Sequence, residues 1–187
     1  MNGNLQLTKR TLLFLMGGVL VAAFLGIFAG TSFTEWNSVR KRDAKLKGHM
    51  LLRTGQPFPS GSFLDMEGMP YNLGKALEGK TTFLIFFTTE CPHCTDALQK
   101  WVEYYPKRNS EYEVAAISYE PVDKLRRYKE EKNLGIPILN DSIGKFTGDY
   151  KIEVYPTIIG VDERREIAFI EIGNNPKKSV EDYLRGL

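Results

Sequence analysis

The tetrapeptide Cys91-Pro92-His93-Cys94 constrains this chain more than any other feature, because it holds both cysteines of the 187-residue sequence and separates two contrasting patterns. Before it, residues 81–88 form an apolar, β-prone run, Thr-Thr-Phe-Leu-Ile-Phe-Phe-Thr. After it, Ala97, Leu98, Trp101, Val102 and Tyr105 repeat with helical spacing. The pattern predicts a strand that delivers Cys91 to the start of a helix. Pro92 suits the first helical position, where its missing N–H is not needed, so Cys91 falls at or beside the N-cap. Residues three apart in a first turn are neighbours, and the two sulfurs can bridge with little strain.

A redox couple follows from that placement. Unpaired amides and the partial positive charge at a helix N-terminus favour thiolate over thiol, and a protonated His93 would add a second positive group. The thiolate attacks in disulfide exchange, which makes Cys91 the expected nucleophile and Cys94 the resolving thiol. No separate cofactor is expected, since the redox-active Cys91–Cys94 disulfide itself carries the electrons. A purely structural bridge closing so short a loop would restrict the unfolded chain very little. A structural zinc asks for about four ligands, whereas the chain has two cysteines and two histidines, one of them the distant His49 in a basic stretch. No metal site is expected on that count, although a copper(I)-binding thiol pair stays open. A peroxidase is a further alternative, with Thr88 three residues before Cys91; the proline usual in peroxiredoxins four residues before that threonine is Leu84 here.

The N-terminus carries the second large signal. Residues 11–34 contain no charged side chain, and about 20 helical residues cross the ~30 Å hydrocarbon layer. Residues 1–34 are therefore expected to form a short tail and one uncleaved transmembrane anchor. A cleaved signal peptide is the rival, but no clean A-x-A site follows Phe28. Gly18, Ala22, Gly26 and Gly30 recur every four residues, a stripe that would admit a partner helix.

Charge divides unevenly along the chain. Residues 1–53 hold 8 Lys and Arg against 2 Asp and Glu, while residues 54–187 hold 17 against 21. The basic stretch 35–54 is expected to be a juxtamembrane linker lying on anionic lipid. Nucleic-acid binding is not expected, because the globular part is acidic and has no basic stripe with interleaved aromatics. The positive-inside count favours a cytoplasmic C-terminus. Against it, Lys9-Arg10 abut the apolar run as in a signal anchor, and disulfide exchange has its commonest work in oxidising compartments. The expectation is a single-pass protein of the cytoplasmic membrane with its domain on the periplasmic or extracytoplasmic side.

Residues 55–187 suit one domain. Residues 63–73 resemble a hairpin turning at Glu67-Gly68, and strands are expected over 112–118, 136–139, 157–161 and 166–172. Helices are expected over 122–132, 141–150 and 176–184. Alternating strands and helices followed by a final hairpin and helix indicate an α/β sheet covered on both faces.

The ordered set Gly55-x-Pro57-x-Pro59, Asp65-x-x-Gly68, Gly79-Lys80, Cys91-x-x-Cys94, Val154-Tyr155-Pro156-Thr157 and the Asp162 turn resembles the thioredoxin-fold, membrane-anchored thiol–disulfide oxidoreductases of the TlpA/ResA/CcmG type. The resemblance covers about residues 55–187. It implies a thioredoxin-like fold with a central mixed β-sheet flanked by helices, a cis Pro156 facing the disulfide, and substrate contacts at Tyr155, Pro156 and Thr157. It also implies a protein thiol or disulfide as substrate and an upstream thiol–disulfide donor or acceptor of electrons, beside the membrane lipid that the anchor requires. Thr89-Glu90 stands where an aromatic often precedes the first cysteine, and Ala97 where some members carry glutamate.

Two acidic residues are candidates for acid–base or electrostatic roles. Glu120 could accept a proton from Cys94, but an exposed loop carboxylate is the expected reading. Glu90 adds negative charge beside Cys91, against the helix field. The Pro92-His93 pair resembles the oxidase DsbA, while the anchor and chain pattern resemble reductases. DsbA-type proteins carry a long helical insertion for which residues 122–150 are too short, so reductase or interchange activity is favoured. A DsbA-like oxidase and a non-catalytic accessory subunit of a membrane complex are the alternatives.

Overall fold

Strand β3 (Thr82–Phe86) is buried along its whole length and divides the interior in two. Phe83 and Ile85 enter one core and Leu84 and Phe86 the other, as side chains alternating across a pleated strand must. The structure is a computed structural model that describes residues 49–108, 112–175 and 178–185. The expected anchor and residues 35–48 of the expected basic linker lie outside the described residues.

Seven strands form one mixed sheet in the order β2-β1-β5-β4-β3-β6-β7. Short antiparallel β1 (Phe63–Leu64) and β2 (Pro70–Tyr71) make the expected hairpin at one edge. Gly68 turns it at φ 82°, a conformation that favours glycine. A one-turn helix, α1 (Leu73–Ala76), follows, capped by Asn72 Oδ1 accepting from Lys75 N at 3.0 Å. Strand β4 (Glu113–Ser118) runs parallel to β3, and β5 (Ile138–Asn140) parallel to β4. Each parallel pair needs a crossover, supplied here by α2 (Pro92–Arg108) and α3 (Val122–Glu131). On the other side of β3, antiparallel β6 (Thr157–Val161) and β7 (Ile167–Ile172) close the sheet.

The first core packs α2, α3 and the closing helix against one face through Cys94, Leu98, Trp101, Leu125, Tyr128, Val180 and Tyr183. Phe83 lies at its centre, with ring centroids 4.4 Å from Trp101 and 5.4 Å from Tyr112. Gly160 of β6 leaves room for the Phe169 ring, which a Cβ at that position would strike. The second core, on the opposite face, gathers Phe58, Phe63, Leu73, Leu77 and Phe86 around Phe146.

The helix expected over 141–150 is broken. A 3₁₀ turn, Ser142–Gly144, precedes α4 (Lys145–Asp149), because Ile143 and Gly144 adopt φ of 60° and 66°. Asp141 then starts α4 from a distance, its carboxylate accepting from Phe146 N at 2.9 Å and Thr147 N at 2.8 Å. Helix α5 (Val180–Leu184) opens at a Ser179–Asp182 capping box, with residues 176 and 177 of the expected helix outside the described ones. The expected boundary at residue 54 is corrected: Met50 and Leu52 are 2% and 1% exposed within the second core. Apolar side chains at alternate positions of the basic stretch have a core to enter, so the folded part reaches back at least to Met50.

Candidate active site

The end of β3 sets the cysteine pair in place. Phe87 N donates to Ile117 O at 3.0 Å, prolonging contact with β4, after which a short loop leads to the helix at Pro92. Cys91 is the residue before that helix, and its carbonyl accepts from Cys94 N at 3.0 Å and Thr95 N at 3.4 Å. It thus closes the first turn, in the position from which a helix N-terminus stabilises negative charge. Cys91 and Cys94 are joined in a disulfide, their Cα atoms 5.2 Å apart.

The two sulfurs differ in access. Cys94 is 0% exposed, within the first core beside Leu98 and Trp101, whereas Cys91 is half-buried. Cys94 N also lies 3.2 Å from Cys91 Sγ, to which it donates. The Tyr155 carbonyl oxygen stands 3.7 Å from the same sulfur, where it can accept a hydrogen bond from the reduced thiol. One sulfur is open to an incoming group, and backbone polar groups receive it.

The Tyr155–Pro156 peptide bond is cis. Pro156 is buried, and Tyr155 is half-buried with its hydroxyl donating to Ile152 O at 2.9 Å. The Tyr155 ring lies 6.1 Å from that of Tyr119, which is 45% exposed. Thr157 is wholly buried and its hydroxyl donates to Val154 O at 2.7 Å, so its side chain offers nothing to an external strand. Pro92 and His93 are exposed, and among the described residues no hydrogen bond ties the imidazole to either sulfur.

Glu120 departs from its expected exposure. It is 8% exposed, with Oε2 accepting from Thr89 N at 2.6 Å and Oε1 from Thr89 Oγ1 at 2.9 Å. Lys124 Nζ donates to Oε1 at 2.7 Å. The carboxylate is drawn inward because the loop entering Cys91 offers it two donors that would otherwise lack partners. Burial acts to raise the Glu120 pKa, but the hydrogen bonds from Lys124 and Thr89 outweigh it and hold the carboxyl below its ordinary value. Engaged by Thr89 and Lys124, the Glu120 carboxylate ties the loop entering Cys91 to the start of α3. Glu90 is exposed and pairs with the same Lys124 ammonium at 2.9 Å.

Sequence reasoning missed Lys124 and the bracing role of Thr89. It also missed Tyr128, whose hydroxyl meets Thr95 Oγ1 at 2.8 Å and ties α3 to the first turn of α2. The available signal was the four-residue spacing of Glu120 and Lys124 across a helix start.

Comparison with known proteins agrees with this geometry. The AhpC/TSA family profile matches residues 54–170, more than half of the chain. The chain belongs to the AhpC/TSA family. Within that family's reach, it is 27% identical over 173 residues to the thioredoxin-like protein YneN of Bacillus subtilis, covering 90% of this chain and 95% of YneN. It is 28% identical over 136 residues to the thiol-disulfide oxidoreductase ResA of Bacillus thuringiensis, covering 72% of this chain and 78% of ResA. The fold matches a protein assigned as the thiol:disulfide interchange protein DsbE of Chlorobium tepidum, with a TM-score of 0.65 and 16% identity over 72% of this chain and 98% of the other. The expected resemblance to thioredoxin-fold thiol–disulfide oxidoreductases is borne out: this AhpC/TSA member has the shared fold and is a thiol–disulfide oxidoreductase.

Proposed function

We propose that the chain exchanges its Cys91–Cys94 disulfide with protein thiols at the outer side of the cytoplasmic membrane, acting as a reductase or interchange protein. The observation that carries the exchange step is the pairing of a half-exposed sulfur at a helix N-terminus with a buried one a turn away. In the reducing direction the Cys91 thiolate attacks a substrate disulfide. A Cys91–substrate bond forms, and the second substrate sulfur leaves as a thiolate that takes a proton. Cys94, deprotonated, then attacks the Cys91 sulfur and releases the remaining substrate sulfur. Two electrons pass to the substrate, and the Cys91–Cys94 disulfide is regenerated for reduction by an upstream dithiol.

The stabilising groups about the Cys91 sulfur are the amide of Cys94 and the helix terminus, and among the described residues no hydrogen bond from the His93 imidazole joins them. That supports a moderately rather than strongly stabilised thiolate, and so a reducing couple. The Tyr155 backbone beside Cys91 supports docking of an extended substrate segment there, its sulfur directed at Cys91. The uncharged run over 11–34 and the basic stretch after it support a membrane anchor.

Cys94→Ser in the full-length chain should trap substrates as mixed disulfides in intact cells, and Cys91→Ser should abolish both trapping and exchange. The compartment of the trapped protein reports the orientation of the domain. Purified protein whose sulfurs fail to cycle with glutathione or dithiothreitol would overturn the proposal.

A further inference from the structure

The ammonium of Lys124 sits between two carboxylates that belong to the approach to Cys91. One is Glu120, buried and holding Thr89 two residues before the cysteine; the other is Glu90, exposed and adjacent to it in the chain. Burial leaves the Glu120 charge little screened, and Glu90 is the chain neighbour of Cys91. Without a counterion both would oppose the field that favours a Cys91 thiolate. Helix α3 supplies that counterion on its first turn, while Tyr128 one turn later holds α3 against Thr95 of the redox helix.

We infer that Lys124 is a positioning residue that sets how readily Cys91 ionises, by partly offsetting the charges of Glu90 and Glu120 at once and fixing the Thr89-Glu90 segment that leads into the sulfur. The inference rests on the exchange reaction proposed above and names a determinant of its redox poise. Lys124 does not touch the reacting sulfurs; it acts through the two acids and the loop. Its own pKa is raised to about 12 by the hydrogen bonds to Glu120 and Glu90, so it stays charged throughout the range in which a thiol titrates. Other titratable groups at this end of the molecule include His93, Asp96 and Cys94 on α2, Tyr128 on α3, and Tyr119, Asp141, Glu153 and Tyr155 in the neighbouring loops. Asp123 is engaged by Arg126 at 3.0 Å on the solvent side of α3.

The test uses reduced full-length protein in detergent, with the Cys91 pKa read from the pH dependence of iodoacetamide alkylation and the redox poise from equilibration with glutathione. Lys124→Met should raise the Cys91 pKa by about half a unit to one unit, the effect of one partly screened charge. Alkylation below the pKa should then slow roughly three- to tenfold, and the couple should become more reducing, because the thiolate of the reduced state is less stabilised. Glu90→Gln should shift the pKa the opposite way, the double variant should fall between the singles, and Lys124→Arg should stay near the parent. An unchanged pKa in Lys124→Met overturns the inference, as does a shift of the same sign in Lys124→Met and Glu90→Gln, which would mark loosening of the loop instead of charge. If Lys124→Met does not fold, Glu90→Gln alone decides, since an unaltered pKa there overturns it equally. Failure of the parent protein to exchange with glutathione sinks the proposed function, whereas alkylation still reads the Cys91 pKa and judges this inference separately.

Discussion

Glu120 shows how a single buried carboxylate can organise a reactive loop. Its oxygens hold both donors of Thr89, its backbone carbonyl accepts from Asn140 Nδ2 at 2.7 Å, and its charge is met by Lys124. Glu120→Gln would turn an amide N–H₂ toward Thr89 donors and remove half of the ion pair. We expect a loss of about 1–3 kcal/mol in chemical denaturation. The same residue gives a pH dependence with a definite sign. Its folded pKa is depressed, so its contribution is present above the unfolded value and disappears as the pH falls through the folded one. Melting temperature followed downward from about pH 6 through the carboxylate range should therefore fall less steeply in Glu120→Gln than in the parent; equal slopes would contradict the assignment. Glu113, held low against its own burial by Lys80 and Tyr105, adds a background common to both proteins.

At the level of elements, the strand–cysteine–helix junction was legible because three independent signals coincide at residues 81–105: a β-prone run, a helix-compatible proline and a helical apolar stripe. The stretch 141–150 was not. Its apolar spacing fits a helix, but Ile143 is 93% exposed and left-handed, and only the Asp141 carboxylate reaching Phe146 and Thr147 shows where the helix starts. Helix α1 rests on a four-residue segment with no periodicity long enough to detect. The inward turn of Glu120 escaped for a different reason, since it depends on donors from a loop 31 positions away in the chain. The Gly160–Phe169 contact is likewise a matter of pairing between strands. Gly160→Ala should cost about 1–3 kcal/mol, because the Phe169 ring it would displace is already stacked on Tyr183, with centroids 5.5 Å apart, and packed against Phe83. Equal urea midpoints for the two proteins would show that the ring moves without penalty.

For the molecule as a whole, the balance between its redox states is tied to its folding. A couple less oxidising than DsbA-like ones gains stability on closing the disulfide, whereas a strongly stabilised thiolate makes the reduced protein the more stable form. The proposed reducing role therefore predicts that the oxidised full-length protein melts above the reduced one. The reverse order would favour an oxidase and leave the exchange chemistry intact. Both hydrophobic cores meet at β3, and the cysteine pair is anchored in one of them alone through Cys94. Opening the bond consequently alters the packing shared with Trp101 and Leu98, while the layer around Phe146 belongs to the other face.

The unequal burial of the sulfurs imposes an order on events. A visitor can be greeted by Cys91 alone, and Cys94 intervenes from inside the protein without ever meeting the visitor in solvent. Every encounter thus has one doorway and one way of being ended, and oxidative damage from small peroxides would fall first on the sulfur at the threshold, leaving its sheltered neighbour as the means of recovery.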